Sequence, residues 1–446
     1  MSLPGFTVDV DQNPYLPAGG RDVSAVVTVT ADATGDAASP EPGPAGGSAE
    51  IIIVDCSGSM DHPAAKMMEA RAATSAAVDV LRDGAWFAII AGTSQAWPVY
   101  PPDGTMAVAG ERTRAEAKRA LSGLRAQGGT AIGQWLRLAQ EVFQASPATL
   151  RHAILLTDGK NQHESAEELA EAVGLCEGSF RCDCRGVGTD WEVGELRKIS
   201  AALLGTVDIV PDPAGLAADF EEMMRGAMSK QLPDVLLRVW TPQQAAVRFV
   251  KQVAPAIADL TDRRVQSGPQ AGDYPTGAWA PGESRDYHVG VQVSAAAVGQ
   301  EMLAARVSLV ASSPDGQQVL GQGLVRATWT EDEALSTRIN PRVAHYTGQA
   351  ELAEAIQEGL EASKRGDEET ATARLGRAVA LAHEAGNEDV ARFLATVVDV
   401  VDEATGTVRL KKKKVDADPA DPYPGVAEMA MRARYAKTVR VKNEKG

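Results

Sequence analysis

Four cysteines among 446 residues are too few for a disulfide framework, so a reducing cytoplasm is the expected compartment. No apolar run approaches the length of a membrane span. The first residues, Met1-Ser2-Leu3-Pro4-Gly5, lack the charged start and hydrophobic core of a secretion signal. Positive charge is also scarce. Lys and Arg number 44 against 60 Asp and Glu, giving a net charge of −16, which argues against nucleic acid and anionic membrane surfaces as partners. There is no P-loop, no His–Glu zinc motif and no recognisable Ser/His/Asp arrangement. Lysine is sparse while Ala, Gly and Val abound, a composition associated with high-GC bacterial genomes.

What is present is organised around Ile51-Ile52-Ile53-Val54-Asp55-Cys56-Ser57-Gly58-Ser59-Met60. Four consecutive apolar residues read as a strand buried on both faces, as in parallel α/β sheets. The run ends in a carboxylate, and two hydroxyls follow at alternate positions before a helix begins near His62. A charge at the end of an apolar strand is costly unless something pairs with it. Carboxylate and hydroxyl oxygens suit a hard divalent cation. The plainer alternative is that Ser57 or Ser59 caps the helix.

The length allows two to four domains. Residues 1–31 contain two alternating strands, and 32–48, rich in Ala, Gly and Pro, reads as a flexible linker. Residues 49–230 alternate strand and helix, the pattern of a doubly wound open sheet with its crevice at the carboxyl ends of the strands. Residues 231–345 return to period-two strands, an all-β sandwich. Two lone N-terminal strands cannot bury a face, so they are expected to pair with the later strands, with the α/β domain inserted between. Residues 346–405 read as a three-helix unit, its last helix over 388–403, and 406–446 as a flexible tail.

Two later segments answer to Asp55. Gln127-Gly128-Gly129-Thr130-Ala131-Ile132 is a glycine-rich loop that delivers a hydroxyl before a helix. Leu155-Leu156-Thr157-Asp158-Gly159 is a second buried strand ending in a carboxylate. Both strands end at one edge of a parallel sheet, so Asp55 and Asp158 should lie close together and repel unless a cation sits with them. The three segments together resemble the von Willebrand factor type A domain family over roughly 49–228. Asp55-Cys56-Ser57-Gly58-Ser59 matches its metal-ion-dependent adhesion site signature, Asp-x-Ser-x-Ser, and Thr130 and Asp158 match the remaining two positions.

The resemblance implies a Rossmann-like domain that binds Mg²⁺ (Mn²⁺ or Ca²⁺ are alternatives). Ser57, Ser59 and Thr130 would touch the metal, Asp55 and Asp158 would act largely through water, and one position would remain for an acidic residue of a protein partner. It also implies a non-enzymatic adaptor, with relatives that work beside MoxR-class AAA+ ATPases or in TerD-type gene clusters. Partner specificity would come from a rim of Lys160, Asn161, His163, Asp190 and Trp191, although a Trp in such a place more often packs its own loop. The enzyme alternative is a phosphatase or phosphotransferase of the haloacid dehalogenase type. That chemistry needs a second Asp two residues after the first as general acid, and Ser57 stands there. Cys176, Cys182 and Cys184 lack a fourth ligand for zinc and read as structural thiols. Thr438, among basic residues near the end of the chain, is a candidate phosphorylation site.

Overall fold

A computed structural model describes residues 5–33, 47–187, 193–210, 213–313, 316–338, 340–384 and 388–411. The chain divides into two compact units. One comprises 36–233 with 277–281, and the other the flanking segments on either side in sequence.

The first unit is built on a seven-stranded sheet. Its main path runs Val207–Val210, Arg181–Val187, Leu150–Thr157, Ser48–Asp55, Trp86–Gly92 and Ala96–Tyr100, with Ala107–Val108 pairing beside Trp86 and Phe87. The first five strands are parallel and Ala96–Tyr100 is an antiparallel edge. Every residue of Ser48–Asp55 is buried. Ile52 and Val54 face a core shared with Ile89, Ile154, Leu156, Met67, Phe220 and Met224, while Ile51 and Ile53 are buried on the opposite side. Burial on both faces is why this strand reads as an unbroken apolar run.

The helix Ala65–Val80 packs on Glu111–Leu121 and Leu216–Met228, and Ala166–Cys176 packs on Ile132–Gln144 and Val193–Ala202, so helices cover both faces. From Ser48–Asp55 the chain moves first to one side of the sheet and later to the other. The strand order therefore reverses between Ser48–Asp55 and Leu150–Thr157, which places the crevice outside their carboxyl ends.

The second unit is a sandwich with a helical appendage. Its five-stranded sheet runs Phe6–Gln12, Asp22–Ala31, Ser284–Val293, Ala245–Ala254 and Ala258–Asp259. Asp22–Ala31 lies antiparallel to Ser284–Val293, so segments on either side of the α/β unit share one sheet. The six-stranded sheet contains Val265–Gly268, Ala271–Trp279, Leu232–Trp240, Glu301–Ser313, Gly316–Thr330 and the short Tyr15–Pro17, which joins in parallel.

The helix Pro341–Arg365 starts with Asn340 as its cap and Pro341 in the first turn. Its first turns are tied to the sandwich. Tyr346 Oη donates to Asp286 Oδ2 at 2.5 Å, and Arg342 donates to Asp11 at 2.7 Å and to Asp286 at 3.3 Å.

Three segments differ from the sequence expectation. The expected helix over 388–403 ends at Val397, and the chain turns into a hairpin of Val398–Asp402 and Thr407–Leu410. The alternating Val398-Asp399-Val400 and the left-handed Gly406 (φ 67°) account for that change. The start of the expected flexible tail is therefore a strand. Ala271–Trp279 is a strand despite Gly272, Pro275 and Gly277, residues that hide it from a propensity reading. Thr438, Gly386-Asn387 and most of the linker 32–48 lie outside the described residues.

Candidate metal centre

Asp55 closes its strand, and Cys56 N–H donates to Gly92 O at 2.8 Å, which carries the pairing one residue further. The Asp55 carboxylate then folds the chain back on itself. Ser57 N–H donates to Oδ1 at 2.7 Å and Thr157 Oγ1 donates to Oδ2 at 2.5 Å. A single 3₁₀ turn, Gly58–Asp61, anchored by the fully buried Met60, leads into the helix Ala65–Val80. Neither serine caps that helix. Ser59 Oγ donates to Asp158 Oδ1 at 2.6 Å, and Ser57 Oγ lies 3.0 Å from Ser59 Oγ. A hydroxyl has one proton. With Ser59's proton spent on Asp158, lone pairs of both serines stay available.

The Thr130 loop is held against this turn by main-chain bonds. Gln127 N–H donates to Cys56 O at 2.7 Å, Gly58 N–H to Gly128 O at 3.0 Å and Ala131 N–H to Thr93 O at 3.0 Å. Thr130 is buried, and its hydroxyl makes no hydrogen bond among the described residues. A methyl group placed on Gly159 would stand 3.3 Å from Thr130 Oγ1, 3.3 Å from Ser59 Oγ and 3.8 Å from Ser57 Oγ. The three hydroxyls therefore converge on a spot that exists because residue 159 has no side chain.

Asp55 and Asp158 are both fully buried beside it. Burial pushes the Asp55 carboxyl up to about 6 against the hydrogen bonds of Ser57 and Thr157, and the charge of Asp158 adds to the push. Cys56 contributes no soft ligand. Its side chain lies in the core, and burial, with the neighbouring Asp55, raises its thiol to about 12. The donor set is thus three hydroxyls and two carboxylates, which fits a hard, oxygen-seeking divalent cation rather than zinc held by thiolates.

Two of the residues expected to form a partner rim, together with Glu164, accept hydrogen bonds from main-chain amides. Asn161 Oδ1 accepts from Ile132 N–H at 3.0 Å, His163 Nδ1 from Thr130 N–H at 3.1 Å and Glu164 Oε1 from Gly133 N–H at 2.6 Å. Thr130 O in turn accepts from Gln162 N–H and His163 N–H. These side chains satisfy the amides at the start of the helix Ile132–Gln144, which otherwise have no partner in the helix. Asn161 and His163 thus prop the Thr130 loop, while His163 is itself exposed. The His163 ring lies so close to Gly129 that a methyl there would come within 2.0 Å of it. Lys160 is exposed, and Asp190 and Trp191 lie outside the described residues.

Three participants escaped the sequence reading. Thr157 reads in the sequence only as the last residue of a buried strand, and Gly159 only as the residue after its carboxylate. Lys66, in the first turn of its helix and nearly buried, places Nζ 2.7 Å from Asp158 Oδ2. The only sequence signal for Lys66 is a cation on the buried stripe of a helix. All four cysteines, Cys56 beside the site included, carry free, buried thiols.

A doubly wound sheet with a hydroxyl and carboxylate cluster at its switch point, set between strands of a sandwich, defines a particular class of α/β domain, and the comparisons agree. The family signature "von Willebrand factor type A domain" matches residues 49–209, and "von Willebrand factor type A C-terminal domain" matches 380–419. A solved von Willebrand factor type A protein from Catenulispora acidiphila is 51% identical, covers 98% of both chains and superposes with a TM-score of 0.88. The chain belongs to the von Willebrand factor type A family.

The ArnB paralog VWA2 from Sulfolobus acidocaldarius shares the fold at 14% identity, covering 99% of this chain and 100% of its own, with a TM-score of 0.59. Among curated proteins, the uncharacterized protein sll0103 of Synechocystis sp. is 26% identical over 219 residues. The match spans 48% of this chain and about half the length of that relative (50%). Domains of this family generally mediate protein–protein interaction, typically without catalysis, and typically bind a divalent metal. No helix among the described residues is long and apolar enough to cross a membrane.

Proposed function

We propose that residues 49–230 form a Mg²⁺-dependent interaction domain, with Ser57, Ser59, Thr130, Asp55 and Asp158 as the metal site. The observation that carries this reading is the convergence of three hydroxyl oxygens beside Gly159 with two buried carboxylates behind them. When bound, the cation supplies a Lewis-acidic position that a carboxylate of a protein partner completes. The chain's own residues do the rest. Ser57, Ser59 and Thr130 present neutral oxygens, so a bound cation is left electron-poor. Asp55 and Asp158, each anchored by hydrogen bonds, keep those oxygens in register. His163 and Asn161 fix the Thr130 loop.

The sandwich of 1–31 and 231–345 frames this domain in sequence, and 346–405 supplies the helical unit. Four reduced, buried thiols accord with a cytoplasmic site of action. An adaptor role beside an AAA+ ATPase or a TerD-type system follows from the resemblance and is proposed on that ground alone.

Calorimetric titration of Mg²⁺ or Mn²⁺ into wild type and Asp55→Ala tests the metal. Wild type is expected to bind and the variant to lose binding; equal binding in both would sink the assignment. Affinity capture with and without EDTA, read by mass spectrometry, tests the partner. At least one captured protein should depend on the metal, and indifference of all of them to EDTA would argue against a metal-completed contact.

A further inference from the structure

Lys66 is out of place by every local rule. It stands in the first turn of a helix, where the macrodipole favours acids and disfavours cations. It is 4% exposed, and burying an ammonium is costly unless it is paired. One of its partners is Asp158, through Oδ2 at 2.7 Å, while the other oxygen of that carboxylate is occupied by Ser59 at 2.6 Å. The ammonium thus lies one carboxylate away from the hydroxyl cluster.

The consequence is one of charge. Asp55, Asp158 and Lys66 carry formal charges that sum to minus one. A divalent cation turns that sum to plus one, and a single carboxylate from outside returns it to zero. Without Lys66 the same three states would be minus two, zero and minus one. The loaded site would then be neutral before the partner arrives and anionic afterwards.

We propose that Lys66 is a resident countercharge that weakens metal binding at this site and strengthens the binding of an anionic ligand to the loaded metal. It stabilises the buried Asp158 while no metal is present, opposes the incoming cation, and leaves the loaded centre one unit more positive for a carboxylate to approach. Lys66 is thereby a positioning and specificity residue, not a metal ligand. The inference rests on the metal reading above.

The full-length protein serves for the test, as wild type, Lys66→Met and Lys66→Arg. Mn²⁺ is titrated calorimetrically, and acetate is then titrated into the Mn²⁺-saturated protein and followed by water-proton relaxation. Removing one charge from so short a range should shift each equilibrium by about ten-fold or more. K66M should bind Mn²⁺ more tightly and acetate more weakly than wild type, and K66R should match wild type on both. K66M within two-fold of wild type on both titrations would overturn the inference while leaving the metal site standing. Absence of Mn²⁺ binding in wild type and K66M alike would remove the metal site as well.

A purely structural lysine would lower the melting temperature of K66M in EDTA without moving acetate affinity, and that pattern also counts against the proposal. Should K66M not fold in EDTA, Lys66→Gln purified in Mn²⁺ and measured by chelator competition answers the same question. It must be tighter for metal and weaker for acetate than K66R.

Discussion

At Gly159 a missing side chain leaves the space on which the hydroxyls of Ser57, Ser59 and Thr130 converge. The space its methyl would fill is bounded by side-chain oxygens rather than by main chain, so Gly159→Ala should fold. It should nevertheless lose about ten-fold or more in Mn²⁺ affinity, the scale seen when groups around a metal site are disturbed. Thermal melts in EDTA beside calorimetry would separate the two effects; unchanged Mn²⁺ affinity would mean that the hydroxyls do not meet there. His163→Ala should cost metal affinity by a similar factor through Thr130, whose amide would lose its acceptor.

Asp55, Ser57, Ser59, Thr130 and Asp158 were visible in the sequence because strand ends and alternate hydroxyls are local patterns. Lys66 and the propping role of His163 were not. Both depend on which loops the sheet brings together, and a lysine in a helix is ordinarily a solvated one. Asn161 and His163, polar residues after a strand, look the same whether they face a partner or their own backbone.

Among the elements, the parallel strands carry a second charged cluster at the opposite end of the sheet. His152, on Leu150–Thr157, hydrogen-bonds Glu50 of Ser48–Asp55 at 2.7 Å and Asp183 of Arg181–Val187 at 2.9 Å. Burial pulls the imidazolium down, but the Glu50 charge and the hydrogen bonds of both carboxylates outweigh it and raise His152 to about 9. Burial also resists the charge on Asp183, yet its bond to His152 and the nearby arginines take it well below the usual range, whereas burial leaves Glu50 raised. Asp183 is therefore the firmer anion of the pair.

A folded value above the unfolded 6.5 means that the His152 contribution is complete below pH 6.5 and is lost as pH rises through about 9. Denaturant unfolding of the α/β unit should show a decline of about 3 kcal/mol between pH 6 and pH 9.5. His152→Gln should be less stable at pH 6 by about 3 kcal/mol and nearly flat over that window, because Glu50 loses its charged partner. A wild-type slope retained in the variant would place the pH dependence elsewhere. These strands were legible because double burial writes continuous apolar runs. Ala271–Trp279 and the hairpin after Val397 were not, because glycine, proline and a short β-branched stretch inside a helical context point the other way.

In the molecule as a whole, the helical region is not a mere appendage to the sandwich. Asp286, fully buried on the strand Ser284–Val293, accepts from both Tyr346 and Arg342 of the long helix. Tyr346→Phe should cost about 1–3 kcal/mol, since it leaves part of a buried carboxylate without its donor. Arg342→Ala should cost more, because Asp11 and Asp286 both lose a cation. Loss of amide protection in the first turns of Pro341–Arg365 would report it by hydrogen exchange, and unchanged protection would show that the helix is held by other contacts. The insertion of one unit within the other was legible by elimination, since two lone strands cannot bury a face. This anchor was not, because no local pattern links an aspartate in a strand to a tyrosine 60 residues later.

The pairing of Asp22–Ala31 with Ser284–Val293 also fixes an order of events in time. Thr30 meets Ser284, 254 positions later in the chain. At a synthesis rate of about 5–20 residues per second, the first strand leaves the ribosome roughly 10–50 seconds before its neighbour exists. During that interval the α/β unit, whose strands all lie between, can complete its own sheet, while Asp22–Ala31 has only Phe6–Gln12 beside it and its other edge waits for Ser284–Val293. The cost of that wait falls on a strand outside the α/β unit, and slowing translation across the middle of the gene should lower the yield of folded protein, measured as the soluble fraction.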